Sequence, residues 1–254
     1  MKLKQKTVLI TGATSGIGLE LAKELVARGN TVLITGRDAE KLRKAKAGVP
    51  ALHIFQSDVT KPEEIAALQQ RVAAEFPACD VLINNAGIMR NLNLNAQRSL
   101  IDVTEEIDVA LKGPVQMVQA FLPLLKARPE ALIVNVSSGL AFIPFPLSPV
   151  YSAAKAALHA YTRCLRVQLK GTRVAVVELA PPGTETKLFR DEFQTEMKSQ
   201  KAMPVKTLVQ QAIVGIEAGK TEIRPGLSNI LYFLSRLAPG LPFGQMAKMV
   251  VKAR

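Results

Sequence analysis

Tyr151 and Lys155 stand four residues apart in the stretch SPVYSAAKAALHAY, residues 148–161, which otherwise has the apolar spacing of a buried helix. Positions i and i+4 lie one turn apart on one helix face, so a phenol and an ammonium share one patch of space. Two readings follow. In one, the pair is an amphipathic rim, with the hydroxyl in water and a snorkelling lysine. In the other, a proton donor sits beside a cation, which suits acid–base chemistry. The helix alone does not choose between them.

A second group of residues points to a ligand. TVLITGATSGIGLELAKEL places Gly12, Gly16 and Gly18 between a strand-like apolar run and a helical pattern, with Thr14, Ser15 and Ile17 inside the same turn. Glycine permits a tight turn and close backbone approach. The N-terminus of the following helix offers free N–H groups and a partial positive charge to a pyrophosphate. At the first strand–helix junction of an alternating chain, this cluster reads as a nucleotide site. The second strand ends VLITGRD, where an acidic residue would accept hydrogen bonds from a ribose 2′-hydroxyl. Here Gly36 and Arg37 stand instead, and Asp38 is placed to cap the next helix. Arg37 suits a 2′-phosphate, through charge-assisted bonds of about 1.5–3 kcal/mol each. That amounts to a preference of about 10–100-fold for the phosphorylated dinucleotide. The competing reading is a surface arginine in a basic protein.

These residues need a frame to hold them. Strand-like runs fall at 7–11, 31–35, 51–55, 80–84, 131–136, 173–179 and 221–224. Helical patterns fall at 17–28, 38–47, 61–75, 102–126, 149–169 and 204–218. Near-continuous apolar strands such as ALIVNV suit a sheet covered on both faces. The alternation predicts an α/β fold: one doubly wound parallel sheet in one domain spanning 1–254. Three stretches escape it: 89–100, polar; 139–149, with three prolines and two phenylalanines, an apolar non-helical wall; and 183–203, charged. All three leave strand C-terminal ends, where such sheets bind ligands. We read 183–203 as a substrate lid and 226–254 as an apolar, basic tail that closes the substrate pocket or packs on a sister subunit.

The chain has 254 residues, 48% apolar and 21% charged, with a formal charge of +12. Its basic residues are scattered, with no tryptophan and only three tyrosines to stack on bases beside the phenylalanines, so nucleic-acid binding is not expected. No run of about 18 apolar residues offers a membrane span. The N-terminal basic and apolar run is broken by glycines and Glu20, unlike a signal peptide, and we expect a cytoplasmic protein. Cys79 and Cys164 read as packing residues, and His53 and His159 as structural or surface residues without metal-ligand spacing, so no metal is expected.

TGATSGIG, NNAG at 84–87, NVSSG at 135–139 and YSAAK at 151–155 together resemble the short-chain dehydrogenases/reductases over nearly the whole chain. TSGIGLELAK, NNAGI, VNVSSGLAF, KAALHAYT and ELAPP are similar to the branch named after the lipoteichoic-acid D-alanylation operon. The resemblance implies a Rossmann-type fold and an NADPH-dependent reductase of a ketone or aldehyde, working reversibly. It makes Tyr151 the general acid, Ser138, thirteen residues earlier, the positioner of the substrate oxygen, and Lys155 the cation that holds the nicotinamide ribose and favours the phenolate. To act near neutral pH the phenol would have to fall by about three pKa units, a shift that a cation one turn away would favour. Asp58 and Val59 match the adenine contacts, and Asn85, Ala86 and Gly87 the loop beneath the cofactor. Pro181, Gly183, Thr184 and Thr186 match the loop near the carboxamide, although Pro182 stands where the family has glycine. A homo-oligomer built on the helices matching 102–126 and 149–169 is also implied.

One position departs from the pattern. The family places Asn three residues before the glycine of EEIDVALKGP, and this chain has Ala110. Alanine supplies no amide to a proton relay. Two rivals to the reductase reading follow: a nucleotide-binding regulator with weak or no turnover, and a lipid or steroid dehydrogenase held on a membrane surface by its basic tail.

Overall fold

The computed structural model describes residues 1–191, 193 and 201–253, with side chains described as far as 248. Seven strands, β1 (Thr7–Ile10), β2 (Thr31–Gly36), β3 (His53–Gln56), β4 (Cys79–Asn84), β5 (Ala131–Val136), β6 (Val174–Leu179) and β7 (Glu222–Ile223), form one sheet in the order β3-β2-β1-β4-β5-β6-β7. Every pairing is parallel. Ten helices accompany them among the described residues: α1 (Gly16–Ala27), α2 (Ala39–Gly48), α3 (Pro62–Glu75), α4 (Leu100–Ile107), α5 (Gly113–Lys126), α6 (Pro149–Gln168), α7 (Lys187–Arg190), α8 (Val205–Glu217), α9 (Leu227–Leu237) and α10 (Gly240–Ala253).

Successive strand side chains point to opposite faces, and both faces are apolar. Val8, Val32 and Val81 join a core with Leu21 and Leu25 of α1, Leu42 of α2 and Leu208 of α8. Leu9, Leu33 and Leu82 join a second core with Leu68 of α3, Phe121 of α5 and Leu165 of α6. A sheet sandwiched between two helical layers is the doubly wound fold that the alternation predicts. The chain runs outward from β1 to β3, then returns to the other side of β1 as β4. The loops after β1 and β4 therefore part at the C-terminal edge and open a crevice.

The helix expected over 102–126 is broken. α4 ends at Ile107, Asp108–Lys112 forms a wider π turn, and α5 begins at Gly113. Pro114 has no N–H to donate to the carbonyl of Ala110 four residues back, so an unbroken α ladder cannot run through this point. Residues 139–149 also differ slightly from expectation, since Gly139–Ala141 forms one 3-10 turn before the non-helical wall. The tail, read only by composition, is helical as α9 and α10. No helix among the described residues is long and apolar enough to cross a membrane.

Candidate active site

The crevice is a cleft of about 1260 Å³ over the C-terminal ends of the central strands. Gly12, Thr14, Ser15, Gly16 and Ile17 line one part of it. Gly12 and Gly16 have φ of +63° and +56°, the left-handed region that favours glycine. A Cβ on Gly12 would lie 2.6 Å from the Cα of Ala86, so the turn rests directly on the loop after β4. Asn85 staples the two together: its Nδ2 donates to the carbonyls of Thr11 at 3.0 Å and Gly12 at 3.1 Å. The Thr11 hydroxyl accepts from the backbone N–H groups of Asn85 and Ala86. Ser15 is the N-cap of α1, yet its side chain makes no capping hydrogen bond. The first amides of α1 thus keep donors for an anion. Gly18 does not line the cleft; its missing side chain makes room for Asn85 Nδ2, 2.5 Å from where a Cβ would stand. Its lack of a side chain serves the packing of the turn on Asn85.

At the outer end stand Gly36, Arg37, Lys41, Asp58 and Val59. Arg37 is 61% exposed, with Nη1 3.5 Å from Glu105 Oε1. Asp38 caps α2 as expected, accepting from the N–H groups of Glu40 and Lys41 at 2.9 and 3.0 Å. Those hydrogen bonds hold its carboxyl below the usual range. Asp58 is tied into its own turn, Oδ1 accepting from Thr60 N at 2.9 Å and from Thr60 Oγ1 at 2.8 Å. A bare glycine turn and an uncapped helix N-terminus fit a dinucleotide, with two cations beyond β2 at the outer end.

Ser138, Tyr151 and Lys155 meet at the inner end, all three buried and all lining the cleft. Ser138 follows β5, while Tyr151 and Lys155 lie in α6, which packs beside that strand's end. Ser138 acts on the Tyr151 hydroxyl in favour of the phenolate, and the Ser138 hydroxyl accepts from Leu140 N at 3.1 Å. Lys155 Nζ donates to the carbonyl of Val136 at 2.7 Å and stands 5.6 Å from the centre of the Tyr151 ring. Burial pushes the phenol up to about 12, against the influence of Ser138 and with help from the negative charge of Glu106. Burial also pushes Lys155 down to about 8, opposed by Glu178. Burial is thus the dominant influence on the phenol, which keeps its proton at neutral pH.

Pro181, Gly183, Thr184 and Thr186 complete the wall, along with Asn85, Ala86 and Gly87. Thr186 packs over Gly16, its Cγ2 3.3 Å from where a Cβ would be. The residues expected as a lid are tied at both ends: Met203 N donates to Gly183 O, and Glu185 N to Met203 O. Residues 192 and 194–200 of that segment lie outside the described ones. Beside the tyrosine the cleft is lined by Met89 and Phe145, which belong with Leu147, Phe193 and Tyr151 to one apolar cluster. Leu227, Leu231 and Leu234 of α9 also line it, in keeping with a tail that closes the substrate pocket.

Ala110 is fully buried in the π turn and does not line the cleft, although its neighbour Val109 does. Two acids near the catalytic group were missed. Glu106 is buried and accepts from Arg90 N at 2.9 Å. Glu178 lies within an otherwise apolar strand and engages His159, a structural partnership for that histidine. The signal for Glu178 was a lone acid in a strand with no polar alternation. Among the described residues, no cluster of three His, Cys, Asp or Glu side chains could hold a metal.

Residues 6–197 match the family model described as short chain dehydrogenase. The Bacillus subtilis (strain 168) protein named uncharacterized oxidoreductase DltE is 41% identical over 224 residues, which is 88% of this chain and 89% of that one. A short-chain dehydrogenase from Sphingobium yanoikuyae in complex with NADPH superimposes with a TM-score of 0.81 at 26% identity, covering 95% of both chains. The 3-ketoacyl-(acyl-carrier-protein) reductase from Brucella melitensis complexed with NADH gives a TM-score of 0.76 at 27% identity, over 84% of this chain and 91% of that one.

Proposed function

The chain belongs to the short-chain dehydrogenase family, and from that premise we propose that it is an NADPH-dependent oxidoreductase that reduces a ketone or aldehyde and, in reverse, oxidises the alcohol. The observation that carries the reading is the buried Ser138–Tyr151–Lys155 group at the inner end of a cleft whose other end suits a dinucleotide. Structural neighbours carry either NADPH or NADH. The phosphate preference therefore rests on Arg37 and Lys41, and on the absence of an acid at positions 36 and 37.

When bound, the cofactor supplies a hydride to the carbonyl carbon. The chain's part is to hold and protonate the oxygen. Ser138 and Tyr151 line the same end of the cleft, which supports a role for both hydroxyls in holding one carbonyl oxygen. Tyr151 gives its phenolic proton to that oxygen, and the ammonium of Lys155 offsets the charge left on the phenolate. Apolar side chains around Tyr151 exclude water and favour an apolar substrate.

NADPH consumption with a panel of ketones and aldehydes tests the reading. Tyr151→Phe should cost about 10²–10⁴-fold in turnover while NADPH still binds, since general acid catalysis contributes about that much. Near-normal turnover in that variant would reject the assignment. NADPH binding without turnover on any carbonyl in the parent would favour the regulator that Ala110 suggests.

One feature favours a second setting for the same chemistry. α9 lines the cleft with Leu231 and Leu234, and its outer side shows Ile230, Phe233 and Leu237, the last 82% exposed. Arg224 and Arg236 stack on Tyr232 at 3.6 and 3.7 Å, and no acid follows Glu222. A basic, apolar helix at the mouth of an apolar cleft supports taking the substrate from an anionic bilayer surface. Flotation with phosphatidylglycerol vesicles should carry the protein upward, and Phe233→Asp with Leu237→Asp should abolish it. Failure of the parent to float would remove this setting.

A further inference from the structure

Glu178 is the one polar residue of β6, and its side chain is 1% exposed. An unpaired carboxylate there would cost several kcal/mol, so its partners carry information. Ser137 Oγ donates to Oε1, and His159 Nδ1 lies 2.7 Å from Oε2. A carboxylate only accepts, so Nδ1 carries the ring proton. Ser137 is the neighbour of Ser138, and His159 lies one helical turn beyond Lys155 on α6. The clamp therefore sits directly behind the catalytic group, with Ser137 itself reaching the cleft.

We propose that Glu178, clamped by Ser137 and His159, is a positioning residue for the catalytic lysine: it is the buried counter-charge that keeps Lys155 an ammonium seated on the Val136 carbonyl. The inference deepens the oxidoreductase reading and rests on it. Lys155 is 3% exposed, and its seat on Val136 O is a neutral carbonyl that cannot by itself balance the ammonium. The negative charge of Glu178 acts on Lys155 against the burial that pushes it down to about 8. A group titrating so near neutrality loses its charge at working pH if a nearby anion is removed.

The other charged groups around Glu178 are already engaged. On β7 its register partner Glu222 lies 3.5 Å from Arg166 and pairs with Arg224. Arg166 of α6 also donates to Val176 O at 3.1 Å. On β5, Asn135 turns to Asn84 and Thr162. Phe142 covers His159 edge-on at 5.3 Å and touches Tyr232 of α9 at 5.2 Å, which closes the clamp from the solvent side. The cation next in line is Lys155, whose Nζ sits on the carbonyl of Val136, the residue before the Ser137 that holds Glu178.

The test is a direct titration of Lys155 by carbon NMR on protein labelled at lysine Cε, the resonance assigned by its loss in Lys155→Arg. In Glu178→Gln the Lys155 midpoint should fall by at least about one pH unit, since an opposite charge at close range shifts a group by 1–3 units. Ser137→Ala and His159→Gln, which loosen the clamp without removing the charge, should lower it by smaller steps. An unchanged midpoint in folded Glu178→Gln overturns the proposal. Should that variant not fold, unchanged midpoints in both other variants overturn it equally. On a reducible ketone, the alkaline limb of kcat/KM should move down by the same interval, an effect that mere loosening of the fold would not produce. The titration needs no turnover. An inactive parent would count against the oxidoreductase reading and leave the titration to decide this one.

Discussion

Substituting alanine at Gly12 should separate the cofactor turn from an ordinary glycine turn. Gly12 has φ of +63°, and an added Cβ would stand 2.6 Å from the Cα of Ala86 and 3.1 Å from its N, both main-chain atoms. Left-handed backbone costs a non-glycine residue roughly 1–2 kcal/mol. Forcing a methyl against main chain adds an overpacking cost of about 1–3 kcal/mol. The sum is roughly 2–5 kcal/mol, or a fall in Tm of roughly 4–20 °C at about 2–4 °C per kcal/mol for a chain of this size. Gly29 is the internal control, since its φ is +78° but nothing lies within 4 Å of an added Cβ. Gly29→Ala carries only the backbone strain, partly offset by a stiffer unfolded chain, and should cost at most about 2 kcal/mol. Calorimetry of both variants isolates the clash. The clash has a functional sequel, because relieving it means parting the turn from Asn85, whose amide holds the Thr11 and Gly12 carbonyls. NADPH affinity, read by fluorescence titration, should fall at least about tenfold in Gly12→Ala, the equivalent of 1.4 kcal/mol, and stay near normal in Gly29→Ala. Equal effects of the two variants on Tm would refute the close approach as the reason for glycine. Full affinity in Gly12→Ala would refute the turn as part of the nucleotide site.

Three further outcomes are expected. Arg37→Ala should raise the NADPH dissociation constant at least about tenfold and leave NADH nearly unchanged, because only a phosphate contact is lost; its exposed pairing with Glu105 is too weak to compete. Equal losses for both cofactors would sink the assignment. Ala110→Asn should raise turnover by up to about tenfold if an amide relays the proton, at a stability cost of about 1–3 kcal/mol for overpacking a fully buried position; an unchanged rate and pH profile would mean the amide is not needed. Leu100 and Ile101 of α4 are 84% and 82% exposed, an apolar pair that a second copy of the chain would cover. Sedimentation should show an oligomer that Leu100→Asp with Ile101→Asp dissociates, and a monomeric parent at micromolar concentration would remove this expectation.

Much of the protein was settled by local order in the chain. Apolar runs four to six residues long, alternating with helical periods, leave few ways to bury both faces of a strand, so the parallel sheet follows from the sequence. The glycine turn and the Tyr151–Lys155 spacing were legible for a similar reason. Their geometry spans one turn or one helical repeat, and such distances are set by backbone dimensions alone. What the sequence could not state is which polar groups meet across distant segments and how deeply they are buried. Gly18 belongs to the same motif as Gly12 and Gly16, yet it serves packing, because Asn85 arrives there from another strand. The tyrosine's proton affinity rises, and does not fall, because desolvation depends on everything packed around the hydroxyl. Glu178 and His159 are 19 positions apart and become partners only when α6 lies on β6. The tail reads as apolar and basic, suited to covering the pocket or a sister subunit, and its folding back as α9 is what places its leucines on the wall of the cleft. Periodicity encodes which face of an element is apolar, whereas contact, burial and charge pairing depend on the arrangement of elements, which exists only in the folded chain.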